Sequence, residues 1–115
     1  MKTAKTNTQL KKLIYSLRKQ DANLWQRTAK ELEKASRKRR DINISKIERF
    51  AESGETVLVF GKVLASGDLT KKVTVAAFSF SEKARQAIHK AGGSSITIEE
   101  LMKKNPKGTK VKVLA

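Results

Sequence analysis

The chain has 115 residues, with 26 Lys and Arg against 11 Asp and Glu, a formal net charge of +15 and a pI near 10.4. That length holds one domain with a modest core, and such a charge repels itself without an anionic partner, nucleic acid ahead of an anionic membrane surface or an acidic protein. The absence of cysteine excludes disulfides, thiolate metal sites and cysteine nucleophiles, and with no leader pattern and no membrane-length apolar run the expectation is a soluble, cytoplasmic, polyanion-binding domain.

In chain order, residues 1–7 are short, polar and basic and read as a loose arm. From Thr8, the spacing of Leu10, Leu13, Ile14 and Leu17 predicts a helix, with Lys11, Lys12, Arg18 and Lys19 turned elsewhere. Asn23 with Gln26 three residues on forms a capping-box pattern for a second helix, running to about Ala35 with Trp25, Ala29 and Leu32 as its stripe. Arg37-Lys38-Arg39-Arg40 is the densest charge cluster, and Asp41 to Ile44 is a brief extended piece. Ser45 with Glu48 predicts another capped helix, carrying Ile47, Phe50 and Ala51 and closed by Gly54.

The core is expected in two β-prone runs, Val57–Phe60 and Val73–Phe78, flanking a segment with Gly61, Gly67, Lys71 and Lys72. They read as a core hairpin in a sheet covered on both faces, because neither run alternates cleanly. Ser79 or Ser81 then caps a helix holding Ala84, Ala87, Ile88 and Ala91, which Gly92-Gly93 ends. Ser94 to Ile96 reads as a strand, and Thr97 with Glu100 as a capping box for a helix with Ile98, Leu101 and Met102. Asn105-Pro106-Lys107-Gly108 is a turn, and Lys110 to Leu114 alternates as a last strand with one wet face. Residues 1–46 form a basic N-terminal arm and helical extension, and residues 47–115 a compact α/β core, in one structural unit. The first part carries 14 cations and 4 acids, the second 12 and 7.

No catalytic set emerges. Gly61-Lys62 resembles the end of a phosphate-binding loop, but Thr56 and Val63 stand where that motif needs Gly and Ser or Thr. His89 is the only histidine, with no Cys and no second His to build a metal site with it. Trp25 sits on an apolar stripe and reads as core before it reads as a base-stacking residue. The Arg37–Arg40 run is the strongest local signal, because guanidinium forks match phosphate oxygens. A helix-turn-helix DNA reader or chromatin protein built on the first two helices is the rival. An RNA-processing enzyme using His89 is a third reading.

The chain also resembles a known family. Leu13-Ile14, Leu17-Arg18 and Trp25, the Arg-rich run before Ile42-Asn43-Ile44, and Gly61-Lys62-Val63-Leu64 with Gly67 carry that resemblance. So do Val73-Thr74-Val75-Ala76-Ala77-Phe78-Ser79-Phe80-Ser81, Ala91-Gly92-Gly93 and Asn105-Pro106-Lys107-Gly108. In order and spacing these are similar to the archaeal and eukaryotic large-subunit ribosomal protein L-eighteen-e, in its archaeal form, a family related to bacterial large-subunit protein fifteen. The resemblance implies an α/β fold, an irregular β-β-α superhelix with a small sheet packed by helices and preceded by two N-terminal helices. It implies a non-enzymatic structural protein of the large ribosomal subunit, binding rRNA beside neighbouring ribosomal proteins, with no cofactor, membrane or small-molecule substrate. On charge density, the expected phosphate clamp is Arg37, Lys38, Arg39 and Arg40, with Lys11, Lys12, Arg18, Lys19 and Arg27 as a second basic surface. Lys62, Lys71 and Lys72 are expected to meet RNA from the glycine-bearing middle, and Asn43 and Lys107 complete the set.

Overall fold

Long apolar runs without strict alternation belong to strands covered on both faces, and the chain builds such a sheet. The computed structural model describes residues 3–34 and 41–114, with side chains placed for residues 10–33 and 41–114. Its elements are α1 (Thr3–Arg18), α2 (Asn23–Lys34), β1 (Ile42–Asn43), α3 (Ile44–Phe50), β2 (Thr56–Leu64), β3 (Thr74–Phe80), α4 (Glu82–Lys90), β4 (Ser94–Thr97), α5 (Ile98–Lys104) and β5 (Val111–Leu114). The mixed α/β class with two leading helices is therefore as expected. The loose arm is corrected: the first helix begins at Thr3.

Every strand pairing is parallel. β2 lies between β3 on one side and, on the other, β5 along Thr56–Val59 and β1 along Val63–Leu64. β4 adds to the outer edge of β3. The hairpin expectation is overturned, because Val57 pairs with Val75 and Leu58 with Ala76 in parallel register. Residues 65–73 are thus a crossover, not a hairpin loop. Between Val59 and Lys62 the register shifts by one residue against β3, and this bulge turns the end of β3 over. Phe78 consequently packs on one face of the sheet and Phe80 on the other.

Two apolar layers result. Val57, Val59, Val63, Val75 and Ala77 meet Ile44 and Ile47 of α3 and Ala84 and Ile88 of α4. On the opposite face, Leu58, Phe60 and Ala76 meet Leu17 of α1, Trp25, Ala29 and Leu32 of α2, and Ile98, Leu101 and Met102 of α5. Trp25 is fully buried, and its Nε1–H donates to the Asn105 carbonyl at 3.0 Å, which settles it as a core residue.

Local chemistry explains the helix ends. Ser81 caps α4 by accepting from the Ala84 N–H, and Thr97 with Glu100 closes a full capping box on α5. The two other expected boxes do not form. Asn23 is already helical, and the Gln26 amide donates to the Gln20 carbonyl. Ser45 lies inside α3, whose cap position is Asn43, and the Ser45 N–H donates to the Ser66 carbonyl. α3 ends at Phe50 with Ala51 as its C-cap, and Gly54 (φ +91) belongs to the following turn, where its N–H donates to the Lys72 carbonyl at 2.7 Å. After α4 the chain passes so close to β3 that a Cβ on Gly93 would lie 2.1 Å from the Val73 carbonyl oxygen. Only glycine permits that approach.

Candidate nucleic-acid interface

A phosphate-binding surface needs exposed cations on rigid elements, with few acids nearby. Residues 3–34 carry eight cations against three acids, whereas residues 41–93 carry eight against six. Because the apolar stripes of α1 and α2 turn inward, their charged positions turn outward. Lys11, Lys12, Arg18, Lys19 and Arg27 are all exposed.

Arg18, at the end of α1, meets Gln26, Arg27 and Lys30 of α2 around a groove of about 480 Å³. Arg18 also pairs with Glu33, but both partners are about half exposed, so the pair contributes little and screens easily. The Arg27 guanidinium lies 5.8 Å from the centroid of Phe60, a placement that anchors its stem over the sheet. A second groove of about 450 Å³ lies beside it, with Lys11, Tyr15, Arg18 and Glu33 around Leu10, Ile14 and Leu32. Lys19 holds its ammonium 4.5 Å from the Tyr15 ring centroid. Four of the five expected cations of this surface thus line or flank the two grooves, and Lys12 stands exposed on the same helix.

The remaining expected residues do not join that surface. Arg37, Lys38, Arg39 and Arg40 lie outside the described residues. Asn43 is exposed at the start of α3 and makes no side-chain cap bond. Lys62 is exposed at the β2 bulge, and its N–H donates to Asp41 Oδ1 at 3.0 Å. Lys71 turns inward, donating from Nζ to the Ala51 carbonyl at 2.7 Å. Lys72 is exposed in the crossover and Lys107 in the turn after α5. Sequence reasoning missed Lys30, although its i+3 spacing from Arg27 puts both on one helix flank.

The carboxylates are occupied differently. Glu48 accepts from the Thr70 N–H at 2.9 Å and the Thr70 hydroxyl at 2.8 Å, stapling the crossover to α3. The Thr70 N–H first, then its hydroxyl, hold this carboxyl below the usual glutamate value, with Lys71 adding to the effect. Glu55 accepts from the Glu52 N–H at 2.7 Å and faces Lys112 Nζ at 3.4 Å. Both lower its pKa, the N–H more than the ammonium. The Thr97 N–H does the same for Glu100. Asp41, Glu48, Glu55 and Glu100 therefore bind backbone N–H groups of their own chain.

His89 is exposed, with Nε2 3.4 Å from the Ser95 hydroxyl. Among the described residues no three His, Cys, Asp or Glu side chains gather as a metal site, and no helix is long and apolar enough to cross a membrane.

Comparison with known proteins gives a consistent result. Residues 2–115 match the family model described as "Ribosomal protein 60S L18 and 50S L18e". The large ribosomal subunit protein eL18 of Methanococcus maripaludis is 48% identical over 118 aligned positions, covering 99% of this chain and 98% of that protein. Its counterpart in Archaeoglobus fulgidus is 48% identical over 89% of this chain and 87% of its own length. That of Methanoregula boonei is 46% identical over 96% and 94%.

Proposed function

The chain belongs to the eL18 family of large-subunit ribosomal proteins, and on that premise we propose that it is a structural constituent of the large subunit of the cytoplasmic ribosome, holding rRNA through phosphate contacts beside neighbouring ribosomal proteins. The family is not an enzyme family, and we take the chain to work without catalysis, cofactor, membrane or small-molecule substrate. The observation that supports phosphate binding is the division of labour among charges. Acids such as Asp41 and Glu48 are bound to the chain's own backbone, while Arg18, Arg27 and Lys30 converge outward on one groove. The Arg37–Arg40 run would add a further clamp. A DNA-binding reading gains no observation of its own.

Sedimentation of lysate through a high-salt density gradient tests the reading. The protein should travel with the large subunit, and migration with chromosomal DNA would overturn it. Replacing Arg37, Lys38, Arg39 and Arg40 by Ala should weaken rRNA binding and reduce its salt slope, by about one unit per lost phosphate contact.

A further inference from the structure

An aromatic side chain left in water on a helix whose apolar stripe faces inward without it has no core-packing role to explain it. Tyr15 is such a residue. It is 62% exposed, one position off the inward-facing stripe of Leu10, Leu13, Ile14 and Leu17. Its helical neighbours at i−4, i−3, i+3 and i+4 are Lys11, Lys12, Arg18 and Lys19, so four exposed cations surround one ring. Beside the ring, Leu10, Ile14 and Leu32 give the groove between α1 and α2 an apolar floor.

We propose that Tyr15 and this groove receive one unpaired nucleotide of the rRNA, its base stacked on the ring and its flanking phosphates held by the surrounding cations. The inference rests on the rRNA-binding reading above and adds a place where a base, not only the backbone, is bound. An RNA base offers a flat apolar face of the ring's size, and its two neighbouring phosphates lie within a few ångströms, which is the pattern of one aromatic among several cations. The Lys19 ammonium, 4.5 Å from the ring centroid in the free chain, supplies a cation that transfers to a phosphate as the base arrives. A peptide segment would match the apolar floor but would leave Lys11, Lys12 and Lys19 without anions, so the charge favours RNA.

The test uses the full chain and protein-free large-subunit rRNA. Affinity is measured at several salt concentrations for the wild type and for Tyr15→Phe, Tyr15→Leu and Tyr15→Ala, and the wild-type complex is cross-linked by ultraviolet light. A nucleotide should be cross-linked at Tyr15, and Tyr15→Phe should bind within about twofold of wild type. The Ala and Leu variants should bind about tenfold more weakly. Their salt slope should be unchanged, because a stacked base releases no counterions. Since Tyr15 is exposed, the melting temperatures should match, which separates lost stacking from lost folding. Wild-type affinity in the Ala variant, or full rescue by Leu, would overturn the stacking site while leaving rRNA binding intact. A loss seen in assembled subunits but not on bare rRNA would give the groove to a protein neighbour and overturn it too. Failure of the wild type to bind rRNA at all would remove the underlying reading itself.

Discussion

The two sides of the sheet bury similar apolar layers, but α3 with its crossover spends its charges differently from the α1–α2 pair. On the α3 side, carboxylates point back into the chain: Glu48 holds Thr70 of the crossover, and Asp41 holds the Lys62 N–H at the bulge. Even a cation, Lys71, is turned onto the Ala51 carbonyl. On the α1–α2 side the layer is held mainly by Leu17, Trp25, Ala29 and Leu32, and its cations face outward around two grooves. A chain of net charge +15 thus uses acids to fix its own backbone where the connections are irregular. On α1 and α2 it turns the cations outward, Arg18 standing in an exposed, easily screened pair with Glu33.

The strongest way to break this contrast is to remove the apolar anchor of the basic layer. Trp25→Ala deletes a fully buried side chain and its bond to Asn105, and should cost about 3–5 kcal/mol in denaturant unfolding. A loss below about 1 kcal/mol would mean that α2 is not seated as described. Next comes Gly93→Ala, which forces a Cβ against the Val73 carbonyl oxygen. It should destabilise by about 2 kcal/mol through displacement of β4 from β3, and an unchanged midpoint would contradict the close approach.

A third, smaller effect tests the internal use of acids. The folded chain lowers the pKa of Glu48, Glu55 and Glu100 below 4.5. Between the unfolded and folded values the unfolded chain binds more protons, so stability rises with pH there. These contributions are complete above the unfolded value and are lost as pH falls from about 4.5 through the lowered values. In Glu48→Gln the acid-induced loss should be shallower than in wild type when unfolding is followed from pH 5 to pH 3. An identical pH profile would remove Glu48 from this role. Smallest of all, Arg27→Ala and Lys30→Ala should change stability by no more than about 0.5 kcal/mol, since both residues are exposed.

Much of this division was readable in the sequence, and the exceptions have physical causes. Periodicity revealed the inward stripes of α1 and α2, and local capping chemistry revealed the Thr97–Glu100 box and narrowed the α4 cap to Ser79 or Ser81, of which the structure takes Ser81. The same Ser/Thr-x-x-Glu pattern misled at Ser45 and Glu48. There β1 runs straight into α3, the cap falls at Asn43, and Glu48 finds Thr70, 22 residues away. A hydrogen bond across that separation leaves no short-range signature. The parallel pairing of β2 with β3 was hidden for a similar reason, since a crossover without a helix resembles a long hairpin loop. At the site, α1 and α2 exposed most of their cations as helical spacing requires. The meeting of Arg18 with Lys30 depends on how the two helices cross, which no single-helix pattern specifies.

The contrast between the two sides is tested most directly by the salt dependence of rRNA binding. The triple variant Arg18→Ala, Arg27→Ala, Lys30→Ala should be compared with Lys83→Ala, Lys90→Ala on α4, both exposed. The triple variant should lose about two to three units of salt slope, while the α4 variant keeps the wild-type slope. A wild-type slope in the triple variant, or a loss per cation as large on α4, would contradict this contrast.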